Sequence, residues 1–220
     1  MKIGIVSTGI VYDYCINAII EQYQNLDKNK YTIIISTWNY IDINLIEQLK
    51  SNGFIVIQND FPDNLLKTSV NYQHFLYLCG VEYAKTIDVS HILRVRSDMI
   101  CTNIQSLLKI YENIYDNKPI FMTYLRHDCG YLIDYATFFD INFYSNFEFT
   151  YQKNGDNRFP EKYLQETYFG SSDWIILKPL VTLSITKLLE NNVDFVFLKT
   201  NYVQYGKQIE RYKKYHLCEC

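Results

Sequence analysis

Apolar residues along the chain switch repeatedly between strand-like runs and helical spacing. Lys2 to Ser7 is a short β-branched run suited to a buried strand, and Ile16, Ile19, Ile20 and Tyr23 follow on one helical stripe with Asp13 as the expected N-cap. Tyr31 to Ser36 predicts a second strand. Asp42 then caps a helix carrying Leu45, Ile46 and Leu49 that stops at Gly53, and Phe54 to Ile57 predicts a third strand. A turn-rich segment from Asn59 to Asn64 precedes a longer helix over Val70 to Lys85, which leads into a strand over His91 to Arg96 ending in Ser97-Asp98.

The second half is less regular. It offers a strand at Ile120 to Tyr124, a polar turn over Arg126 to Gly130 and an apolar run at Tyr131 to Ile133. A loop over 144–160, helices over 161–169 and 180–190 and a last strand at Asp194 to Leu198 complete the pattern before a charged tail. Strands alternating with helices predict an α/β fold with a mostly parallel sheet flanked by helices, and 220 residues suit a single domain. Ligands of such sheets gather at the carboxyl ends of the strands. Ser7-Thr8-Gly9, Ser36-Thr37-Trp38 and Ser97-Asp98 are therefore expected to meet in one crevice.

Composition narrows the function classes. Hydrophobic residues make up 48% and charged residues 20%, a globular balance with no linker or repeat. The 21 Tyr and 13 Phe accompany abundant Ile, Asn and Lys, the bias of an AT-rich coding sequence, so they do not by themselves signal an aromatic ligand. A net charge of -3 lacks the basic field that nucleic acid requires and points to a small-molecule partner. Neither a secretory signal nor a bilayer-spanning run is expected, and the six cysteines show no zinc spacing, which suits reduced thiols in the cytoplasm. In the tail, Arg211, Lys213 and Lys214 interleave with Tyr212 and Tyr215. This reads either as a solvated helix end or as a peripheral contact with anionic lipid.

Candidate chemistry centres on His91 to Met99. Strand alternation puts Arg94, Arg96 and Asp98 on one face, where the guanidinium groups can fork onto phosphate oxygens and Asp98 can hold a divalent cation bridging them. The same residues also fit a plain Arg96–Asp98 ion pair at a strand end. Thr8, Gly9 and Trp38 are candidates for a nucleotide pocket, with Gly9 permitting close backbone approach and Trp38 stacking on a base. His74 and His91 fall in helix and strand patterns and read as structural, whereas His127 and His216 lie in polar surroundings open to a metal role. No P-loop or G-x-G-x-x-G is present. The segment Ser7 to Tyr12 also lacks the glycine-rich, basic character of a sugar-nucleotide pyrophosphorylase.

Arg94-Val95-Arg96-Ser97-Asp98 resembles the K-x-R-S-D signature of the WavE-like lipopolysaccharide-synthesis glycosyltransferases, a degenerate D-x-D at a strand end. Further pieces follow in that family's order: Ser36-Thr37-Trp38, the Asn71-Tyr72-Gln73 and Gly80 to Ala84 helix, Ile133 to Asp140, and Pro160 to Leu164. Arg94 stands in place of the family's Lys, while Ile133 and Phe139 replace Ser and Gly. The resemblance implies a GT-A fold with a donor half over 1–100 and an acceptor half with the tail over 101–220. It implies a glycosyltransferase, hexosyltransferase-like, moving sugar from a nucleotide-diphosphate carrier, UDP foremost, to a glycan or glycolipid acceptor in polysaccharide synthesis. Asn71, Gln73, Arg94, Arg96, Ser97 and Asp98 would then face the donor. Asp98 would hold manganese or magnesium, or Arg96 would neutralise the diphosphate itself. Asp134 and Asp173 are the candidates for the general base that an inverting transfer needs. The alternative is a non-catalytic nucleotide-sugar-binding or scaffold protein, since the first acidic residue of the D-x-D is missing.

Overall fold

The computed structural model describes residues 1–63, 65–117, 120–125 and 130–146, and beyond them 151, 153–156, 158, 163, 166, 183–184, 188, 190–199 and 202–203. Strands β1 (Ile3–Thr8), β2 (Tyr31–Trp38), β3 (Ile55–Asn59) and β4 (His91–Arg96) are joined by helices α1 (Asp13–Tyr23), α2 (Ile43–Ser51) and α3 (Ser69–Lys85). They form the parallel part of a seven-stranded sheet ordered β3-β2-β1-β4-β7-β6-β8. Here β6 is Ile120–Leu125, β7 is Gly130–Asp140 and β8 is Leu183–Ser184. Within this sheet β7 runs antiparallel to both β4 and β6, so the expected α/β fold with a mostly parallel sheet is the observed one. A smaller sheet joins β5 (Met99–Cys101), β9 (Phe195–Lys199) and β10 (Tyr202–Val203).

Burial on two faces explains why β1 is an unbroken apolar run rather than an alternating one: every residue of it is buried. One face carries the larger core, in which Ile3, Ile5, Ile35, Leu93 and Val95 meet Ile16 and Ile19 of α1. The other face packs Val6, Ile34 and Ile92 against Tyr77, Val81 and Ala84 of α3. Helix α3 approaches so closely that a Cβ at Gly80 would stand 2.4 Å from Val6 Cγ1.

Helix α2 begins and ends as its sequence dictates. The Asp42 carboxylate accepts from the Asn44 N–H, and Gly53, at φ +83°, donates to the Lys50 carbonyl while Phe54 donates to that of Leu49. Helix α1 differs from expectation. Tyr12 occupies the N-cap with no side-chain hydrogen bond, and Asp13 is the first helical residue, where its charge faces the positive end of the helix dipole.

Two further departures concern the second half. Helix α4 (Ile104–Ile114), to which no element was assigned from sequence, buries Ile104, Leu107, Leu108 and Tyr111, and Asn103 caps it by accepting from the Ser106 N–H. Within the helix expected over 180–190, Leu188 and Glu190 are helical, but Leu183–Ser184 is a strand that pairs with Met122 and Thr123 of β6. The open edge of β6 has backbone donors and acceptors to satisfy, and that demand overrides helical spacing. Beyond β7 a 3-10 helix spans Ile141–Asn146.

Candidate functional site

The carboxyl ends of β1, β2 and β4 are fastened to one another by short polar contacts. The Ser97 N–H donates to the Thr8 carbonyl at 3.0 Å and its hydroxyl donates to the Ile10 carbonyl at 3.0 Å. Gly9 N–H reaches the Ser36 carbonyl at 3.3 Å, and the buried Asn59 amide donates to Ser36 Oγ and the Thr37 carbonyl at 3.1 and 2.8 Å. Gly9 sits at φ +134°, a conformation open only to glycine, and a Cβ there would lie 2.5 Å from Ser97 Oγ. These contacts bring together the three strand ends expected to converge.

Over them opens a cavity of about 200 Å³ lined by Thr8, Gly9, Trp38, Gln73, Arg96, Ser97 and Asp98, together with Ile10, Tyr12, Ser69, Tyr72 and Leu76. The first seven are sequence candidates. Tyr72 stood inside a motif whose flanking residues drew attention instead. Ser69 and Leu76 reach the cavity because α3 begins beside it, which only the tertiary arrangement reveals. Sites that engulf a drug-sized ligand measure roughly 300–1,000 Å³. This cavity is smaller, of a size for one portion of an extended ligand.

Arg96 and Asp98 are the charged residues among those lining it. Arg96 Nε donates to Asp98 Oδ1 at 2.9 Å and Nη2 to Oδ2 at 2.8 Å, a fork with side chains 20% and 34% exposed. Asp98 is anchored from behind, since its carbonyl accepts from the Leu198 N–H of β9 at 2.8 Å. The same carboxylate adds to the burial that pushes the Cys15 thiol up to about 11, so Cys15 is no thiolate nucleophile at neutral pH.

Trp38 is a wall of the cavity rather than an open platform. Its ring is 3% exposed and packs with Phe75 at 5.9 Å, Phe61 at 4.7 Å and Tyr72 at 5.8 Å. Asn71 and Arg94 fall outside the cavity lining. The Asn71 amide is buried and donates to the Leu66 carbonyl, holding the loop before α3. Arg94 shares a strand face with Arg96 but is 2% exposed, with its guanidinium 5.1 Å from the Tyr77 ring centroid. Asp134 lies in β7, where the register to β6 jumps between Phe121 and Met122, and its side chain is outside the described residues. Asp173, His127, His216 and the basic tail also lie outside them.

A divalent cation at Asp98 finds a poor fit. Among the described residues no group of three His, Cys, Asp or Glu side chains could hold a metal, and both Asp98 oxygens already accept from Arg96. A cation there would stand against a guanidinium. Among the described residues no helix is long and apolar enough to cross a membrane, and Cys15, Cys79 and Cys101 are free thiols.

His74 lies beneath the site, fully buried, and burial followed by the nearby Arg94 charge holds its imidazole well below the ordinary 6.5. The unfolded chain takes up a proton near 6.5 and the folded chain does not. The fold therefore loses stability as pH falls below 6.5 toward the depressed folded value and is unaffected above it. His74→Phe is expected to remove up to about 1.4 kcal/mol per pH unit of that slope, read from urea unfolding at pH 5 to 7.

The fold matches a chain described as a glucose-1-phosphate thymidylyltransferase from Bacillus anthracis, solved with a sucrose, at 10% identity and a TM-score of 0.54, over 96% of this chain and 93% of that one. HddC from Yersinia pseudotuberculosis aligns over 97% of each chain at 11% identity and a TM-score of 0.49. S. aureus TarS 1-349 in complex with UDP-GlcNAc aligns at 10% identity and a TM-score of 0.49, over 76% of this chain. The chain spans about half the length of that TarS chain, 53%. No protein-family model and no curated protein matches the sequence.

Proposed function

We propose that the protein is a nucleotide-sugar-dependent glycosyltransferase resembling the WavE-like family, with the donor, a UDP-sugar, bound at the carboxyl ends of β1, β2 and β4. The observation that carries this reading is the cavity itself: Gly9, Arg96, Ser97 and Asp98 line it together at the switch between the parallel strands and antiparallel β7. Backbone approach at Gly9 and the Arg96 guanidinium suit a diphosphate, and the Trp38–Tyr72 wall suits the flat remainder of a nucleotide. The chain is proposed to act as one domain, residues 1–100 binding donor and 101–220 receiving a glycan or glycolipid acceptor, with Asp134 or Asp173 as general base.

Glycosyl transfer is favoured over nucleotidyl transfer on this same fold because the β1–α1 loop, residues 9–12, carries no cationic side chain for a triphosphate. Incubation with a panel of UDP-sugars is expected to release UDP at a rate that Arg96→Gln lowers by at least about tenfold. Binding without turnover across all acceptors would favour the non-catalytic alternative, and pyrophosphate release from a nucleoside triphosphate plus a sugar 1-phosphate would replace the reading with nucleotidyl transfer.

A further inference from the structure

We infer that the diphosphate of the donor is held in this pocket by guanidinium groups, by Arg96 directly and by the charge of Arg94 beneath it, so that donor binding needs no divalent cation and Asp98 serves to position Arg96. The inference rests on the donor-site reading above.

Three observations carry it. Asp98 is the carboxylate lining the cavity, and Arg96 grips both of its oxygens at 2.8–2.9 Å. Magnesium and manganese seek near-octahedral oxygen coordination. At this carboxylate either ion would have to displace the fork or tolerate a guanidinium in contact with its own ligand. Second, the fork fixes the plane of Arg96 at the cavity wall, where its side chain is only 20% exposed, so its charge is delivered to a ligand with little screening.

Third, the charges of Arg94, Arg96 and Asp98 do not cancel one another. Arg96 and Asp98 offset each other, but Arg94, two residues back on the same strand face and so about 6.6 Å away along the chain, is buried with its Nε lacking a hydrogen-bond partner among the described residues. The ion pairs among the described residues give Arg94 no carboxylate. Among these three residues one net positive charge is left below the strand ends, and it offsets half of the dianionic linkage of a nucleotide sugar.

Calorimetric titration of the whole protein with UDP, in EDTA, in magnesium and in manganese, tests this. The expected result is one affinity, equal within about twofold in all three buffers. Arg96→Gln should weaken UDP binding by at least about tenfold, and Arg96→Lys, which keeps the charge but not the fork, should recover part of it. Asp98→Asn, which loosens the fork but removes no positive charge, should weaken UDP binding less than Arg96→Gln does, and by the same factor in all three buffers. Thermal melts establish that each variant folds, and if Arg96→Gln does not, the wild-type comparison across buffers decides alone. UDP binding that requires manganese or magnesium and disappears in Asp98→Asn would overturn the inference while leaving the donor site in place. Absence of UDP binding in every buffer would overturn both.

Discussion

Trp38→Ala is expected to cost the fold about 3–5 kcal/mol, measured as the change in urea unfolding free energy. The indole is 3% exposed and is the shared neighbour of Phe61, Tyr72 and Phe75, which also contact one another through the 4.5 Å Phe61–Tyr72 pair. Truncation leaves a cavity that these rings, each held by its own backbone, fill only in part. Trp38→Phe keeps an aromatic wall and should cost less than half as much. Because Trp38 presents a wall rather than an open face, the loss should appear in stability first and in UDP affinity only as the cavity deforms. A variant that folds with unchanged stability and binds UDP weakly would instead mark Trp38 as a stacking platform.

Gly9→Ala should do the reverse, sparing most of the stability and abolishing ligand binding. Alanine at φ +134° carries backbone strain of about 1–3 kcal/mol. Its Cβ, built 2.5 Å from Ser97 Oγ, also forces that hydroxyl off the Ile10 carbonyl and loosens the junction of β1 and β4 next to Arg96. Gly155→Ala is the natural control. It shares a positive φ, +86°, yet its Cβ would meet nothing within 4 Å, so it should show the strain alone and leave UDP binding untouched. Equal UDP affinity in Gly9→Ala and the wild type would remove the β1 end from the site.

The first half of the fold was legible because its local and tertiary signals agree. The β-branched run of β1, the Asp42 cap and the Gly53 stop of α2 each appear where the sequence puts them. The convergence of Thr8, Trp38 and Ser97 followed from parallel topology alone. Alternation was a weaker guide at β4: it put Arg94 and Arg96 on one face, as observed, but could not show that α3 closes over Arg94 and leaves Arg96 at the rim. Helix α4 was readable from Asn103 and the spacing of Ile104, Leu107, Leu108 and Tyr111. At Leu183–Ser184 no local signal would have served, because the strand exists to complete the edge of β6.

The most direct test of the donor site is a crystal structure of the protein with UDP. The account predicts the diphosphate over the ends of β1 and β4, within hydrogen-bond distance of Arg96 and against the Gly9 backbone, with the nucleoside along Trp38 and Tyr72. UDP seated elsewhere, such as the separate cavity of about 100 Å³ lined by Tyr23, Lys28 and Gly53, would contradict it.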